Sequence, residues 1–316
     1  MPDKIENNTR KRPRELPFVE DYRPYTGGQL AQLKVRKTTH KEHWDQYYRN
    51  NTLNGYRDRH YILREFSELR EVLERLKKNN EATLEECVWM EAGCGVGNAV
   101  FPILKDYGDV SGWRVVGFDI STVAIKLLRE KQNTLPHVEQ EKFTAWVLNP
   151  VEQDIAPIIT ASVARQSRPR GNGLVDFVSM IFVLCSIPVE EHAVVLRRIA
   201  ACMKEGGVFF FRDYCVDDHA EKRFSAHCRV EANTFSRTNG TLSHFFSVSE
   251  LRDLFCSVGF ELINVEVVER EVVNRREGMN LQRRFLQGRF RKIRRIGDNG
   301  IDIVGNGNLS RNMPQK

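Results

Sequence analysis

The sequence predicts an α/β protein: a mostly parallel, doubly wound sheet with an N-terminal flap and a small inserted lid. Three observations predict it. Short apolar runs alternate with amphipathic segments, the pattern of strand–helix–strand units. The apolar run from Cys87 enters a glycine-rich turn, Glu91-Ala92-Gly93-Cys94-Gly95-Val96-Gly97-Asn98, and such turns mark the ligand end of an open α/β sheet. The next apolar run, Arg114–Phe118, is closed by an acid, Asp119, about 20 residues beyond the glycine loop.

In chain order, residues 1–20 are polar and basic and read as a disordered N-terminus, without a signal peptide. Residues 21–80 read as a helical flap and RNA-binding extension, 81–296 as the main domain with a lid at 214–246, and 297–316 as a disordered tail. Trp44, Tyr47 and Tyr48 fall on one helical face. Arg57, Arg59 and His60 follow, so that five aromatics between Trp44 and Tyr61 interleave with basic residues. That composition suits a flap that closes over a small ligand and meets nucleic acid; a helix packed on the domain is the plainer alternative. Tyr61–Asn79 has the spacing of one amphipathic helix. Strands are then expected at 87–92, 114–119, 143–148, 175–182, 208–212 and 260–269. Helices are expected at 98–107, 121–132 with Ser121 as N-cap, 189–203 stopped by Gly206-Gly207, and 247–258 capped by Ser247 or Ser249. Thr160–Gly173 reads as a mobile surface insertion, and Asn233–Phe246 as a hairpin turning at Asn239-Gly240.

Composition bounds the function. The 316 residues are 28% charged and 41% hydrophobic, an ordinary globular balance. Seven cysteines without a C-x-x-C pair argue against a zinc module or a disulfide scaffold, and Cys215, His219, His227 and Cys228 match no zinc spacing, so no metal is expected. The longest apolar run, Leu174–Val189, is too short and too interrupted by polar residues to span a bilayer. A cytoplasmic protein is expected. Arg10-Lys11-Arg12-Pro13-Arg14 makes the nucleus the alternative, although so short a cluster carries little by itself.

The loop spacing is G-x-G-x-G, one residue shorter than the dinucleotide pattern, and no P-loop lysine follows. Glu91, two residues before the first glycine, would repel a pyrophosphate and attract a cation. S-adenosylmethionine carries a sulfonium and an ammonium and no phosphate. Asp119 sits where a carboxylate accepts hydrogen bonds from ribose hydroxyls. The competing reading is a glycine turn in a cofactor-free α/β domain. The net charge is +6, and 270–295 holds nine arginines and one lysine against two glutamates. Such a run is a solvated basic helix or tail, or a polyanion site; beside an aromatic flap, RNA is the favoured partner.

These residues together resemble the tRNA 3-methylcytidine methyltransferases, a Rossmann-like class I group. The resemblance spans about Lys41 to Phe290. It is carried by Trp44-x-x-x-Tyr48, Asp58-Arg59-His60, the glycine loop, Ile181-Phe182-Val183-Leu184, Phe211-Arg212-Asp213-Tyr214, Asp218-His219-Ala220, Arg223-Phe224 and Val273-Asn274-Arg275-Arg276-Glu277-Gly278. The resemblance implies methylation of cytidine N3 at anticodon-loop position 32 of serine or threonine tRNAs, with S-adenosylmethionine as donor and, in some members, a seryl-tRNA synthetase as partner. It further implies cofactor contacts at Trp44, Tyr48, Gly93, Gly95, Asp119, Leu148 and Ile181, beside Glu91. One departure is Val147, where family members carry an aspartate before the leucine; Asn149 is the candidate replacement.

Cytosine N3 has a free lone pair, so positioning rather than a general base is expected to supply the rate. Asp213 is the candidate carboxylate for the cationic product, with Arg212 and Tyr214 orienting the base or phosphate and His219 second to Asp213; the alternative makes Asp213 a structural partner of Arg212. Arg275, Arg276, Arg283, Arg284, Arg289 and Arg291 are expected on tRNA phosphates. The rival functions are a class I methyltransferase acting on protein or a small molecule, and a non-catalytic RNA-binding subunit with the same fold.

Overall fold

The apolar runs that the sequence marks as strands all pair into one sheet. The computed structural model describes residues 40–78, 86–166, 173–274 and 279–293. Within them lie α1 (His40–Asn51), a one-turn α2 (Ile62–Glu65) and α3 (Ser67–Lys78). The chain then alternates through β1 (Cys87–Ala92), α4 (Val100–Tyr107), β2 (Trp113–Asp119), α5 (Thr122–Gln132), a short α6 (His137–Glu141), β3 (Phe143–Val147), α7 (Ala156–Gln166), β4 (Val175–Ile181), α8 (His192–Ala201) and β5 (Met203–Tyr214). The lid follows as α9 (His219–Lys222) with β6 (Arg229–Glu231), β7 (Thr234–Ser236) and β8 (Leu242–His244). Helix α10 (Val248–Ser257) leads to a long hairpin of β9 (Phe260–Asn274) and β10 (Met279–Lys292).

The seven-stranded sheet has the order β3-β2-β1-β4-β5-β10-β9. Strands β1 to β5 are mutually parallel, and β10 alone runs against its neighbours β5 and β9. Strand β1 pairs with both β2 and β4, so the winding reverses between β1 and β4 and opens a crevice at their C-terminal ends.

The centre is built by Val208-Phe209-Phe210-Phe211. Alternation along β5 sends Phe209 and Phe211 into one layer, against Phe255 and Phe246, and Phe210 into the other, stacked on Phe66 at 4.6 Å and Phe177 at 5.5 Å. A strand covered on both faces reads as a continuous apolar run, not as an alternation. Helices α7, α8 and α10 cover the first face; α3, α4 and α5 cover the second. Leu69, Leu73 and Leu76 of α3 enter the same core as Trp89 of β1, so no separate hydrophobic core divides residues 67–78 from the domain. Two caps match the sequence reading: the Ser121 side chain accepts from Ala124 N at 3.0 Å, and Ser247 with Glu250 closes a capping box on α10.

Four expectations need correction. The single helix at 61–79 is broken at Phe66, whose fully buried ring requires the chain to turn there. The insertion at 160–173 is helical as far as Gln166, because Ile155, Ile159 and Val163 recur at i, i+4, i+8 and are buried; 167–172 lies outside the described residues. Gly206-Gly207 does not separate a helix from a strand but lies inside β5, where Gly206 has φ +77° and the pairing with β4 shifts register. The basic run after Arg270 is neither helix nor tail: 279–292 is strand, with Leu286 and Phe290 fully buried. The hairpin at 234–244 forms as expected, with Gly240 at φ +85° in its turn. No helix among the described residues is long and apolar enough to cross a membrane.

Phe210 touches both Phe66 and Phe177, so Phe210→Ala opens a void that neither ring can fill. It should lower stability by about 3–5 kcal/mol, measured as a shift in the urea unfolding midpoint; Leu53→Ala, at an exposed position, is the control.

Candidate active site

Two acids at adjacent strand ends define the crevice. Glu91, the penultimate residue of β1, is 2% exposed, and Asp119, the last of β2, is 9% exposed. Burial pushes the Glu91 carboxyl up to about 8, against the opposing effects of a hydrogen bond from the Ser179 hydroxyl and the nearby Arg59 charge. Trp89 Nε1 donates to Ser179 Oγ at 2.6 Å, and Ser179 in turn donates to Glu91. Burial likewise raises Asp119 to about 6, opposed by backbone donors. Asp119 Oδ2 accepts from Gly95 N at 2.9 Å and Oδ1 from Ser121 N at 2.8 Å, so each oxygen keeps a lone-pair direction for a ligand.

The glycine loop is shaped by its lack of side chains. Gly93, Gly95 and Gly97 have φ of +70°, +52° and +87°. A Cβ on Gly93 would lie 2.5 Å from Val183, and one on Gly95 would lie 2.6 Å from Tyr48 Oη.

Helix α1 closes the crevice from above. Trp44, Tyr47 and Tyr48 pack ring to ring at 5.3–6.1 Å, and Tyr47 meets Tyr56 at 5.4 Å. The lock is Asp45, which sequence reasoning missed. Its buried carboxylate accepts from Ser121 Oγ at 2.7 Å and Val123 N at 3.1 Å, and pairs with Lys41 at 3.1 Å. A helix N-terminus favours such an acid. Asn98 adds a second tether, donating to Asp58 Oδ1 at 2.9 Å and Tyr56 O at 3.2 Å, while its own carbonyl accepts from Arg59 N.

The enclosed space is a cavity of about 390 Å³. Among the expected cofactor residues, Trp44, Tyr48, Glu91, Gly93, Gly95, Asp119 and Ile181 line it. Leu148 is buried outside the lining, and its neighbour Asn149 takes its place, with Oδ1 accepting from Val151 N at 3.0 Å. Arg59, expected on RNA, lines the cavity instead, its guanidinium 5.1 Å from the Phe182 ring centroid. Val147 is 38% exposed and absent from the lining.

The expected catalytic group is arranged differently from the sequence reading. Asp213 is fully buried behind the wall: Oδ2 accepts from Cys185 N at 3.0 Å and Oδ1 from Tyr214 N at 2.9 Å, and burial raises its carboxyl to about 6. Alternation on β5 turns Arg212 to the opposite face, so the two do not pair. Arg212 Nη1 donates to Gln287 Oε1 at 2.8 Å, and the guanidinium lies between the rings of Tyr61 and Phe285 at 4.6 and 5.4 Å. Tyr214 receives a hydrogen bond at its hydroxyl from Arg237 Nη2 at 3.2 Å. His219 sits half-buried on α9, away from the cavity lining. Arg237 was not singled out in the sequence; its Nε also donates to Ser243 Oγ at 2.5 Å, joining the lid to the end of β5.

Arg57 and His60 are exposed. Arg283 Nε donates to both carboxylate oxygens of the buried Asp218 at 3.0–3.1 Å, and Arg284 lies 3.3 Å from Glu269 and 3.4 Å from Asp217. Arg289 and Arg291 pair with Glu68 and Glu261. Acids of β9, α3 and the start of the lid thus meet the basic β10, which a count along one segment does not reveal. Arg275 and Arg276 lie outside the described residues.

The donor set fits S-adenosylmethionine. A buried acid pair suits an ammonium and a ribose diol, the glycines admit close approach, and the lining holds no lysine apart from Lys41, which Asp45 engages. Its volume is in the range of small-ligand sites. Comparison with known proteins agrees. The family described as a methyltransferase domain matches residues 57–265, more than half of the chain. Over 263 residues the chain is 34% identical to the Rattus norvegicus tRNA N(3)-cytidine methyltransferase METTL6, covering 83% of each chain. It is 27% identical over 248 residues to the tRNA(Thr) (cytosine(32)-N(3))-methyltransferase of Saccharomyces cerevisiae, covering 78% of this chain and 36% of that protein. The crystal structure of an S-adenosylmethionine-dependent methyltransferase from Anabaena variabilis superposes with a TM-score of 0.51 at 13% identity, covering 80% of this chain and 94% of that one, a likeness of fold.

A carboxyl raised to about 8 holds its proton at neutral pH until a cation displaces it. Its contribution to the stability of the unliganded fold is present in full below the ordinary glutamate value and is lost as pH rises through 8. Ligand affinity runs the other way. S-adenosylhomocysteine, which keeps the ammonium, should bind roughly tenfold more tightly at pH 8.5 than at pH 7, with proton release seen by calorimetry in buffers of different ionisation enthalpy. Glu91→Gln should flatten the profile; an unchanged profile would remove Glu91 from the ligand's ammonium.

Proposed function

The chain belongs to the tRNA N(3)-cytidine methyltransferases, and from that membership we propose that it methylates N3 of cytidine 32 in the anticodon loop of serine or threonine tRNAs. S-adenosylmethionine is the cofactor. The observation that carries the reading is the buried acid pair Glu91 and Asp119 beneath an aromatic flap, at the point where the sheet reverses its winding. Position 32 and tRNA(Thr) are part of the yeast relative's name; serine tRNAs, and a seryl-tRNA synthetase that delivers them, rest on the family resemblance.

When bound, the cofactor supplies an electrophilic methyl on a cationic sulfur. The chain's residues do the rest by holding and excluding. Glu91 would receive the ammonium and give up its proton. Asp119 would accept from the ribose hydroxyls, held by the backbone donors Gly95 and Ser121. Asn149, which lines the cavity, would meet the adenine in place of the family's acid. Trp44 and Tyr48 exclude water from above, and Asp45 holds them down. The base nitrogen brings its own lone pair, so no side chain removes a proton before attack; alignment is the main contribution. The product base is cationic. Asp213 does not touch it but anchors the short Val183–Ser186 turn at the cavity wall, a positioning role.

Nucleoside mass spectrometry of tRNA incubated with the protein and S-adenosylmethionine should reveal 3-methylcytidine; methyl transfer to protein and none to RNA would overturn the proposal. Asp213→Asn should lower turnover by about 10²-fold while S-adenosylhomocysteine affinity holds; equal loss of both would make Asp213 purely architectural. Affinity for tRNA should fall steeply between low and moderate salt, and a flat response would remove the arginines from the RNA path.

A further inference from the structure

Phe182 stands in a conformation that its residue type disfavours. It follows β4, lines the cavity and has φ +58°. A bulky side chain in the left-handed region is a genuine outlier, held only where surrounding structure imposes it. Here Phe182 N donates to Arg212 O at 2.7 Å, and Ser186 N closes a turn on Val183 O at 2.9 Å. Glycine or asparagine would adopt this backbone at less cost, so burial of the main chain does not explain a phenylalanine. The ring is only half-buried, which separates it from the packed phenylalanines of β5.

What surrounds the ring points to a base. Arg59 lies over it at 5.1 Å, Tyr214 tilts against it at 5.1 Å, and Phe285 meets it edge-on at 5.3 Å. Arg283 and Arg212 stand over Phe285 at 5.1 and 5.4 Å, and Arg237 over Tyr214 at 5.7 Å. Three rings interleaved with four guanidiniums thus run outward from the cavity wall. Aromatic faces with interleaved cations are the sequence-tolerant way to hold unpaired nucleotides. Phe182 is the ring of this group that lines the cavity, and Arg59 is the guanidinium that lines it beside Phe182.

We propose that Phe182 is the platform on which the target pyrimidine stacks, held in its left-handed backbone so that the base plane meets the methyl donor, with the Arg59 guanidinium over the ring closing the stack. The proposal rests on the function inferred above and adds the residue that orients the acceptor.

The test uses the full chain, S-adenosylmethionine and an anticodon stem-loop RNA. Phe182→Gly removes the ring and suits the backbone, and its melting temperature reports that the fold survives loss of the ring's packing on the core. Its kcat/KM for RNA should fall by about 10–100-fold, the range expected from losing one base–aromatic stack, while the Kd for S-adenosylhomocysteine stays within about threefold. Phe182→Tyr should restore most of the rate. In an RNA carrying pyrrolocytosine at the target position, quenching on binding should occur with wild type and Phe182→Tyr and be lost with Phe182→Gly. An active wild type with an equally active Phe182→Gly overturns this inference alone. So does a loss of S-adenosylhomocysteine affinity matching the loss of rate, which would make the ring a cofactor wall. A wild type that leaves the RNA unmethylated overturns the functional reading and this inference with it.

Discussion

The carboxylate of Asp119 is the constraint on which the site depends. One oxygen holds the amide of Gly95 and the other the amide of Ser121. The Ser121 hydroxyl caps α5 and donates to Asp45, which holds α1 over the cavity. A single run of hydrogen bonds thus joins the glycine loop, the start of a helix and the flap. Burying this acid raises its proton affinity, a cost that its backbone donors oppose. The same donors fix the geometry before a ligand arrives, so little ordering remains to be done on binding.

The legible parts were those whose cause is local. The glycine loop, Asp119 at the end of its strand, the Ser121 and Ser247 caps and the Asn239-Gly240 turn are each specified by a few adjacent residues. The illegible parts depend on partners far along the chain. Asp45 does its work on Ser121, 76 residues away. Arg237 matters because the lid brings it against Tyr214. The opposite directions of Asp213 and Arg212 follow from alternation along β5, and no composition announces the left-handed backbone at Phe182. Strand β10 was hidden by its arginines, which concealed the alternation carried by Leu286, Gly288 and Phe290.

Those arginines also change meaning in three dimensions. Read along the sequence they are a block of free positive charge. In the fold, Arg270, Arg283, Arg284, Arg289 and Arg291 each stand within ion-pair distance of an acid. Exposed pairs of this kind contribute little to stability, but they fix where the guanidiniums point. These arginines thus present oriented planar donors as well as charge.

The reversed strand β10 has a consequence for how the protein is made. It is the link between β5 and β9, and among the described residues it is the last strand in the sequence. While the ribosome still holds the segment from Met279 to Lys292, β5 presents an open edge and β9 has no neighbour to join, the exposed state in which strands pair with the wrong chain. The nascent domain is thus incomplete until almost its final residues emerge, and a transcript cut short within that segment encodes a sheet with a gap in it, not a shortened enzyme.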